Sequence, residues 1–454
     1  MPPPAPRPGV GSLHETFLQA ALRRFFDRAA FTLEPVLAGP DDHRLTVTSS
    51  EGDGVLTIRW FGTLCILHAP SRCPFSAHEI RLARAIGAVL EARYRAIFSP
   101  HMMAEERELF RGALEDRYIG AFLDGGRHIE GGDRLADIVA GALEVLRVAA
   151  LSTYENRPIS TGVLLLGRSY TPRQPAAGLP ERPHVPHSFA AALTAIRSFY
   201  RLADGVHTLF LVSRSGALVD IIDAARWARE ANPDATLAVP CGTTYAAHAL
   251  ATLNGQDVCV VLSPSQEMKV FAEGAPLFTF HNANWHLLDV QAKYEQWSAA
   301  VGHPALADRL FQTALDLADL REGALFVVLR DAERSVGELV APGDRLDTLQ
   351  VRADVVSPSR RDLLYLLAGR SVTDLDPSVL GALASLDGAI VVDPAGRLLA
   401  AGAILRHPPS VEVSWLVEGA RTTAAIAASR FGPVLKVSED GIITFFDGER
   451  VWDL

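Results

Sequence analysis

Three short stretches near the C-terminus carry residue types that can do chemistry. The first is Asp387-Gly388-Ala389, an acidic residue and a glycine directly ahead of the apolar run Ile390-Val391-Val392. The second is Gly419-Ala420-Arg421-Thr422-Thr423-Ala424-Ala425. Here a glycine, an arginine and two hydroxyls open a small-residue helix, an arrangement that offers backbone N–H groups and a cation to phosphate. The third is Val437-Ser438-Glu439, which ends an apolar run and enters a turn at Asp440-Gly441. Each has a plainer reading beside it. Asp-Gly before a strand is a common turn, an arginine at a helix start is often solvated, Thr422 and Thr423 can simply cap the helix, and Glu439 can be an ordinary turn residue. Asp393 and Asp440 read as turn aspartates, and His407, beside Pro408 and Pro409, as exposed loop. No Gly-x-x-x-x-Gly-Lys loop occurs, which excludes a P-loop nucleotide site.

The elements that must hold these stretches begin near Pro304. Ala324 to Leu329 reads as a buried strand, and Ser357-Pro358-Ser359 and Asp376-Pro377-Ser378 read as helix starts with a capping residue and an early proline. A strand at 389–392, the small-residue helix, a strand at 434–437 and a hairpin through Phe446 complete the series.

This order of motifs resembles the diadenylate cyclase domain family, over residues about 305–450, a third of the chain. That family carries Asp-Gly-Ala at the head of a strand, Gly-Thr-Arg-His-Arg-Ala-Ala at a helix start and Val-Ser-Glu before a hairpin. The first and third motifs are intact here. The second has Thr422 and Thr423 in place of its histidine and second arginine. The resemblance implies a mixed sheet flanked by helices that joins two ATP molecules into cyclic di-AMP. It casts Asp387 as the catalytic, metal-proximal carboxylate that helps orient the 3′-hydroxyl, with Mg2+ or Mn2+ as cofactor. It casts Gly388, Ala389, Gly419, Arg421, Thr422, Thr423, Ser438 and Glu439 as nucleotide-binding. Two half-sites must face each other in that chemistry, so a homo-oligomer through the C-terminal domain is implied as well.

The departure in the second motif bears on turnover. Losing one preorganised donor to developing charge costs about 2.7–4 kcal/mol, whereas ground-state binding can survive on Arg421, the helix start and a metal. The expected function is therefore nucleotide signalling. The C-terminal domain binds ATP or a related adenine nucleotide, as a degenerate sensor or weak cyclase under control of upstream sensor domains. The alternative is an active diadenylate cyclase making cyclic di-AMP, and a third reading is a scaffold that uses the fold only to dimerise.

Upstream, Leu135 to Glu144 followed by Thr161 to Leu166 echoes Leu306 to Asp316 followed by Glu322 to Val328. Gly242-Thr243-Thr244-Tyr245-Ala246-Ala247 echoes the helix-start motif, and Val260 to Phe271 matches Leu435 to Phe446 without a gap. A diverged copy of the C-terminal domain is therefore expected at about 130–285. It lacks the chemistry: Thr244 stands at the arginine position, and Ser263-Pro264 replaces serine-glutamate. Asp204-Gly205 stands for the Asp-Gly pair if about three extra residues precede Gly216.

The N-terminal third reads as a tail (1–12), then a small α+β domain at 13–100. Its amphipathic first helix carries Leu13, Phe17, Ala21 and Phe25, three strand-like runs follow at 44–48, 54–60 and 63–67, and Pro74-Phe75-Ser76 caps a long helix. The pattern is similar to the end of a GAF-like sensor domain; an unnamed α+β interaction domain fits equally. A connecting helix from Met103 to about Leu123, within 101–129, reads as a spacer. Residues 169–188 read as a proline-rich loop. Residues 286–304 read as a bridging helix, with its start near Asn282 and with Trp285 and Trp297 as interdomain packing. The fold class is thus α/β (α+β): a small GAF-like domain, a degenerate copy at 130–285, and the cyclase-like domain at 305–454.

Composition fits a globular chain, with 48% hydrophobic and 21% charged residues. A net charge of −10 and only Lys269, Lys293 and Lys436 as lysines argue against a general nucleic-acid surface. Met1-Pro2-Pro3-Pro4 lacks the pattern of a secretory signal, and no apolar run is long enough for a membrane span, so a cytoplasmic location and no membrane partner are expected. Cys65, Cys73, Cys241 and Cys259 have neither zinc nor redox spacing and read as free thiols.

Overall fold

The computed structural model describes residues 13–36, 44–50, 54–70, 73–97, 101, 107–125, 134–168, 187–190, 193, 197–346, 364–406 and 419–454. The expected proline-rich loop, the helix start at Ser357 and the loop at His407 lie outside these. The chain is mixed α/β and divides into two compact units. One comprises 1–236 and 247–289; the other comprises 237–246 and 290–454. Residues 237–246, which include the Gly242 stretch, thus belong with the C-terminal unit.

In the first unit, helix α1 (Leu13–Phe25) precedes a four-stranded antiparallel sheet of order β1-β4-β3-β2. Its strands are β1 (Ala30–Pro35), β2 (Thr46–Ser50), β3 (Val55–Trp60) and β4 (Thr63–His68). The buried face of α1 is Leu18, Ala21 and Leu22, and Phe17 is exposed; the register set by the sequence pattern is off by one position. Strand β1, largely exposed, has no alternation to betray it. Helix α2 (Ala77–Ile97) starts with a capping box. The Glu79 N–H donates to Ser76 Oγ (3.1 Å), and the Ser76 N–H donates to Glu79 Oε2 (2.8 Å).

The expected spacer helix forms only as α3 (Leu114–Asp124), after a 3-10 turn at Arg107–Phe110; residues 102–106 lie outside the described ones. It is no spacer, because Tyr118, Ile119, Phe122 and Leu123 are buried in the unit's core. Its Asp116, 1% exposed, receives two bonds from Arg147 of α4 (Leu135–Ala150) at 2.8 and 2.7 Å and one from Trp285 Nε1 at 2.9 Å. A buried carboxylate is tolerated only when its oxygens are satisfied this way.

A short hairpin, β5 (Thr153–Tyr154) and β6 (Arg157–Pro158), leads to a seven-stranded sheet of order β13-β12-β11-β10-β7-β8-β9. It is built from β7 (Thr161–Leu165), β8 (Thr208–Val212), β9 (Leu218–Asp223), β10 (Val258–Leu262), β11 (Met268–Ala272), β12 (Ala275–His281) and β13 (Asn284–Leu287), with α5 (Ala224–Ala231) and α6 (Ala246–Ala251) between β9 and β10. The helix expected from Asn282 is instead the β12–β13 hairpin, turned by Asn282 and Ala283 at φ 49° and 63°. The helix starts only at α7 (Val290–Val301). Trp285 is buried within the first unit; Trp297 is buried within the second, where its Nε1 donates to the Ala307 carbonyl at 3.1 Å.

The second unit continues with α8 (Pro304–Leu320), β14 (Ala324–Val328), α9 (Ala332–Leu339), α10 (Pro377–Ala384), β15 (Ala389–Val392), β16 (Leu398–Ala403), α11 (Ala420–Ala428), β17 (Val434–Val437), β18 (Ile443–Asp447) and β19 (Glu449–Asp453). Asp376 caps α10 as its sequence suggests. The sheet order is β16-β15-β14-β17-β18-β19, with only β14 and β15 parallel.

The two large sheets have the same strand order, apart from the extra β13. Their central hairpins also share a register: Leu262 faces Met268 and Cys259 faces Phe271, while Val437 faces Ile443 and Val434 faces Phe446. Register also corrects one expectation. Val212 faces Leu218 as Val392 faces Leu398, so His207, not Asp204, stands where Asp387 does. Asp204 instead builds the loop before β8, accepting N–H bonds from Val206, His207 and Thr208. Burial would raise its pKa, but these donors and the His207 side chain pull it well below the ordinary carboxylate value. None of the four cysteines is in a disulfide, and no helix among the described residues is long and apolar enough to cross a membrane.

Candidate functional site at one end of the second sheet

Strand polarity gathers the sequence motifs. Strands β14 and β15 are parallel, and β17 runs against β14 with Val437 opposite Ala324. The starts of β14 and β15 and the finish of β17 therefore share one end of the sheet. Gly323, Asp387-Gly388 and Ser438-Glu439 all sit there. Two strand spacings, roughly 10 Å, separate the Asp387 and Ser438 positions.

The start of α11 is brought to the same end by Arg421. Its Nη1 donates to Glu439 Oε1 at 2.9 Å, and its guanidinium lies across Gly323, where a Cβ would stand 2.1 Å from Nη1. Glycine at 323 is thus what admits the arginine. The sequence reading missed this role, although a glycine directly before a fully buried strand is its visible signal. The Glu439 side chain is 74% exposed and that of Arg421 34%. Such an open ion pair is worth about 0.2–1 kcal/mol, little enough for an incoming anion to displace.

Each remaining predicted residue has a definite local task. Gly419 precedes α11 at φ 83° and ψ 148°, a conformation essentially confined to glycine. No side chain among the described residues caps the helix, and nothing described would meet a Cβ there within 4 Å. The Thr423 hydroxyl donates back to the Gly419 carbonyl (3.2 Å), within the first helical turn. The Thr422 hydroxyl accepts from Lys436 Nζ, also at 3.2 Å. Gly388, at φ 112°, lies so close to β16 that a Cβ would stand 2.4 Å from the Gly402 carbonyl carbon, so the fold itself demands this glycine. Ala389 is buried in β15, and Asp387 is exposed beside it.

Ser438 builds its turn. Its Oγ accepts the Ile442 N–H (3.2 Å) and lies against the Ile442 carbonyl (3.0 Å) and the Asp440 carboxylate. Ser263 makes the corresponding bond to Glu267 N–H at 3.1 Å in the first sheet. A serine that makes the same turn in both sheets owes its place to the turn. Glu439 has no such counterpart, since Pro264 stands in its position. Asp393 and Asp440 are turn residues, as their sequence context suggests.

The described residues hold no group of three His, Cys, Asp or Glu side chains that could bind a metal alone. Among the described residues, the sheet end offers an arginine on a weak, exchangeable pair, a lysine bonded to the first turn of the helix, a helix N-terminus with no side-chain cap and an exposed carboxylate. This is a set suited to a phosphorylated ligand.

Among known proteins, no family model matches the chain and no curated protein does. Solved structures similar to parts of it include a hypothetical membrane spanning protein from Bacillus cereus. That match has 22% identity and a TM-score of 0.25, and covers 35% of this chain and 69% of that one. Another is a double cysteine mutant of DacA from Staphylococcus aureus, with 22% identity and a TM-score of 0.19, covering 32% of this chain and 83% of that one.

Proposed function

We propose that the second unit binds ATP or a related adenine nucleotide at this sheet end, as a degenerate diadenylate-cyclase-type sensor or weak cyclase. The observation that carries the reading is the gathering of Asp387, Arg421 and Glu439, drawn from three distant stretches, at one end of the sheet beside a helix start that no described side chain caps. A scaffold role would not require Gly323 to make room for an arginine.

In this reading the residues have distinct tasks. Arg421 exchanges Glu439 for phosphate oxygens, and the first N–H groups of α11 add donors along the helix dipole. Gly419 keeps the approach to that helix clear. Asp387 suits Mg2+ or Mn2+, since such ions are commonly held by one or two carboxylates together with substrate phosphates and water. Such an ion would neutralise phosphate charge during attack by the 3′-hydroxyl. Thr422 and Thr423 are neutral, so turnover is low or absent while binding persists. Any cyclisation requires two such ends from separate chains, because the stretches that echo the second and third motifs have Thr244 and Pro264 where this end has Arg421 and Glu439.

The test is incubation of the purified full chain with labelled ATP and Mg2+ or Mn2+, with chromatography of the products beside equilibrium binding. Binding with little cyclic di-AMP is expected. Robust cyclisation would make the protein a cyclase outright, and no binding at all would remove the nucleotide reading.

A further inference from the structure

We propose that Lys436 is a second phosphate-positioning cation of this site, acting together with Thr422. The inference rests on the nucleotide reading above and deepens it. Lys436 interrupts the strand Val434-Leu435-Lys436-Val437, whose other members are all buried. It pairs across the sheet with Leu325 and Thr444, so it shares their face. Apart from Thr444 the named members of that face are apolar: Leu325, Val327, Val434 and Phe446 pack there with Ala425 and Ala428 of α11. An ammonium group at the margin of such a face is costly unless its head reaches polar partners. The head of Lys436 reaches the Thr422 hydroxyl, in the first turn of α11.

The first sheet supplies an internal control. Because the two central hairpins share a register, the position of Lys436 corresponds to Val261, which is fully buried. The lysine on this face of the first sheet, Lys269, stands one strand over, opposite Val261 and at the position of Thr444. Particular to the second sheet is a lysine on β17, the strand whose lysine head bonds the first turn of the helix that carries Arg421.

The donor chemistry points outward. An ammonium has only donors, so the Thr422 oxygen accepts from it and the hydroxyl proton must be given elsewhere. A phosphate oxygen at the helix start would receive that proton while the ammonium offsets its charge. Thr422, one of the two departures from the cyclase motif, thereby becomes the relay between Lys436 and the ligand.

The experiment is calorimetric titration of ATP into the full chain and its Lys436→Met and Lys436→Arg variants, with thermal unfolding of each ligand-free protein. Lys436→Met should bind ATP about tenfold more weakly or worse, with no fall in ligand-free unfolding temperature. Lys436→Arg should restore most of the affinity, which a purely structural lysine would not show. Thr422→Val, which leaves the lysine in place, should weaken ATP in the same direction. Equal ATP affinity for Lys436→Met and the unmodified protein would remove Lys436 from the site and leave the nucleotide reading standing. If the unmodified chain binds neither ATP, ADP nor cyclic di-AMP, both fall together.

Discussion

Two glycine-led helix starts among the described residues differ in what meets them. At Gly242-Thr243-Thr244 the N–H and hydroxyl of Thr243 both donate to the Asp316 carboxylate of α8, the hydroxyl at 3.0 Å. A Cβ on Gly242 would stand 2.7 Å from Asp319 Oδ2, so glycine there admits a carboxylate of the protein itself. Burial raises the Asp316 carboxyl pKa, opposed by the two bonds from Thr243. At Gly419-Ala420-Arg421 no described side chain fills the space, and the arginine rests on an exposed glutamate. Among the described residues, the N–H groups of a helix start thus meet a carboxylate of the protein in one case and no side chain in the other. Sharing a strand order does not fix what stands at the helix start.

The largest effect that would sharpen this contrast is on turnover. Thr422→His combined with Thr423→Arg should raise Mn2+-dependent formation of cyclic di-AMP at least about a hundredfold over the unmodified chain, the scale of one restored charge-stabilising donor. Thr244→Arg, made at the occupied helix start, should yield none. Chromatographic product assays on both variants check this, and a gain from Thr244→Arg alone would break the contrast.

A second difference lies in the hairpin turns. Glu273, in the β11–β12 turn, meets His78 and Arg81, and His78 also bonds Asp289 at 2.8 Å; the corresponding position after β18 is Gly448. The bond to Asp289, then that to Glu273, raises the His78 pKa from 6.5 to about 9, and His78 first and Arg81 next lower that of Glu273 to about 2. A raised histidine stabilises fully below its unfolded pKa and loses that contribution as pH rises through the folded one. Urea unfolding of the first unit should therefore shift to lower midpoints between about pH 6 and about pH 10. In His78→Ala that shift should vanish, at a cost of about 1–3 kcal/mol at neutral pH.

A smaller effect is expected at the occupied helix start. Asp316→Ala removes both bonds from the exposed Thr243, whose donors water then takes up, and should cost the second unit about 0.5–1.5 kcal/mol. Arg421→Ala, at the open start, should cost no more than about 1 kcal/mol of stability. Thermal unfolding of the two variants separates a structural helix start from a binding one. The smallest effect concerns Glu439. If it merely holds Arg421 in reserve, Glu439→Gln should tighten ATP binding by up to about 1 kcal/mol. Weaker binding would instead mean that the carboxylate itself serves the ligand.

Much of this was legible in the sequence. The ungapped match of Val260–Phe271 to Leu435–Phe446 foretold a shared hairpin register, because a fixed spacing of apolar residues and turn fixes strand pairing. The site motifs were legible because each stands where a buried strand or a helix meets the sheet end. Other features were not. The offset of the two Asp-Gly pairs hid in a loop, where sequence distance says nothing about register. Asn282-Ala283 was missed because its turn depends on left-handed backbone at two non-glycine residues. The parts played by Gly323 and Lys436 depend on contacts between segments about a hundred and about fourteen residues apart, which no local pattern records.

The most direct measurement is calorimetric titration of ATP with Mg2+ into the full chain, Arg421→Ala and Thr244→Ala. Binding by the unmodified chain is expected, with Arg421→Ala weaker by roughly 1.5–3 kcal/mol, about tenfold or more, and Thr244→Ala unchanged. Equal affinity for Arg421→Ala and the unmodified chain, or loss of binding only in Thr244→Ala, would contradict the assignment of the open helix start as the nucleotide site.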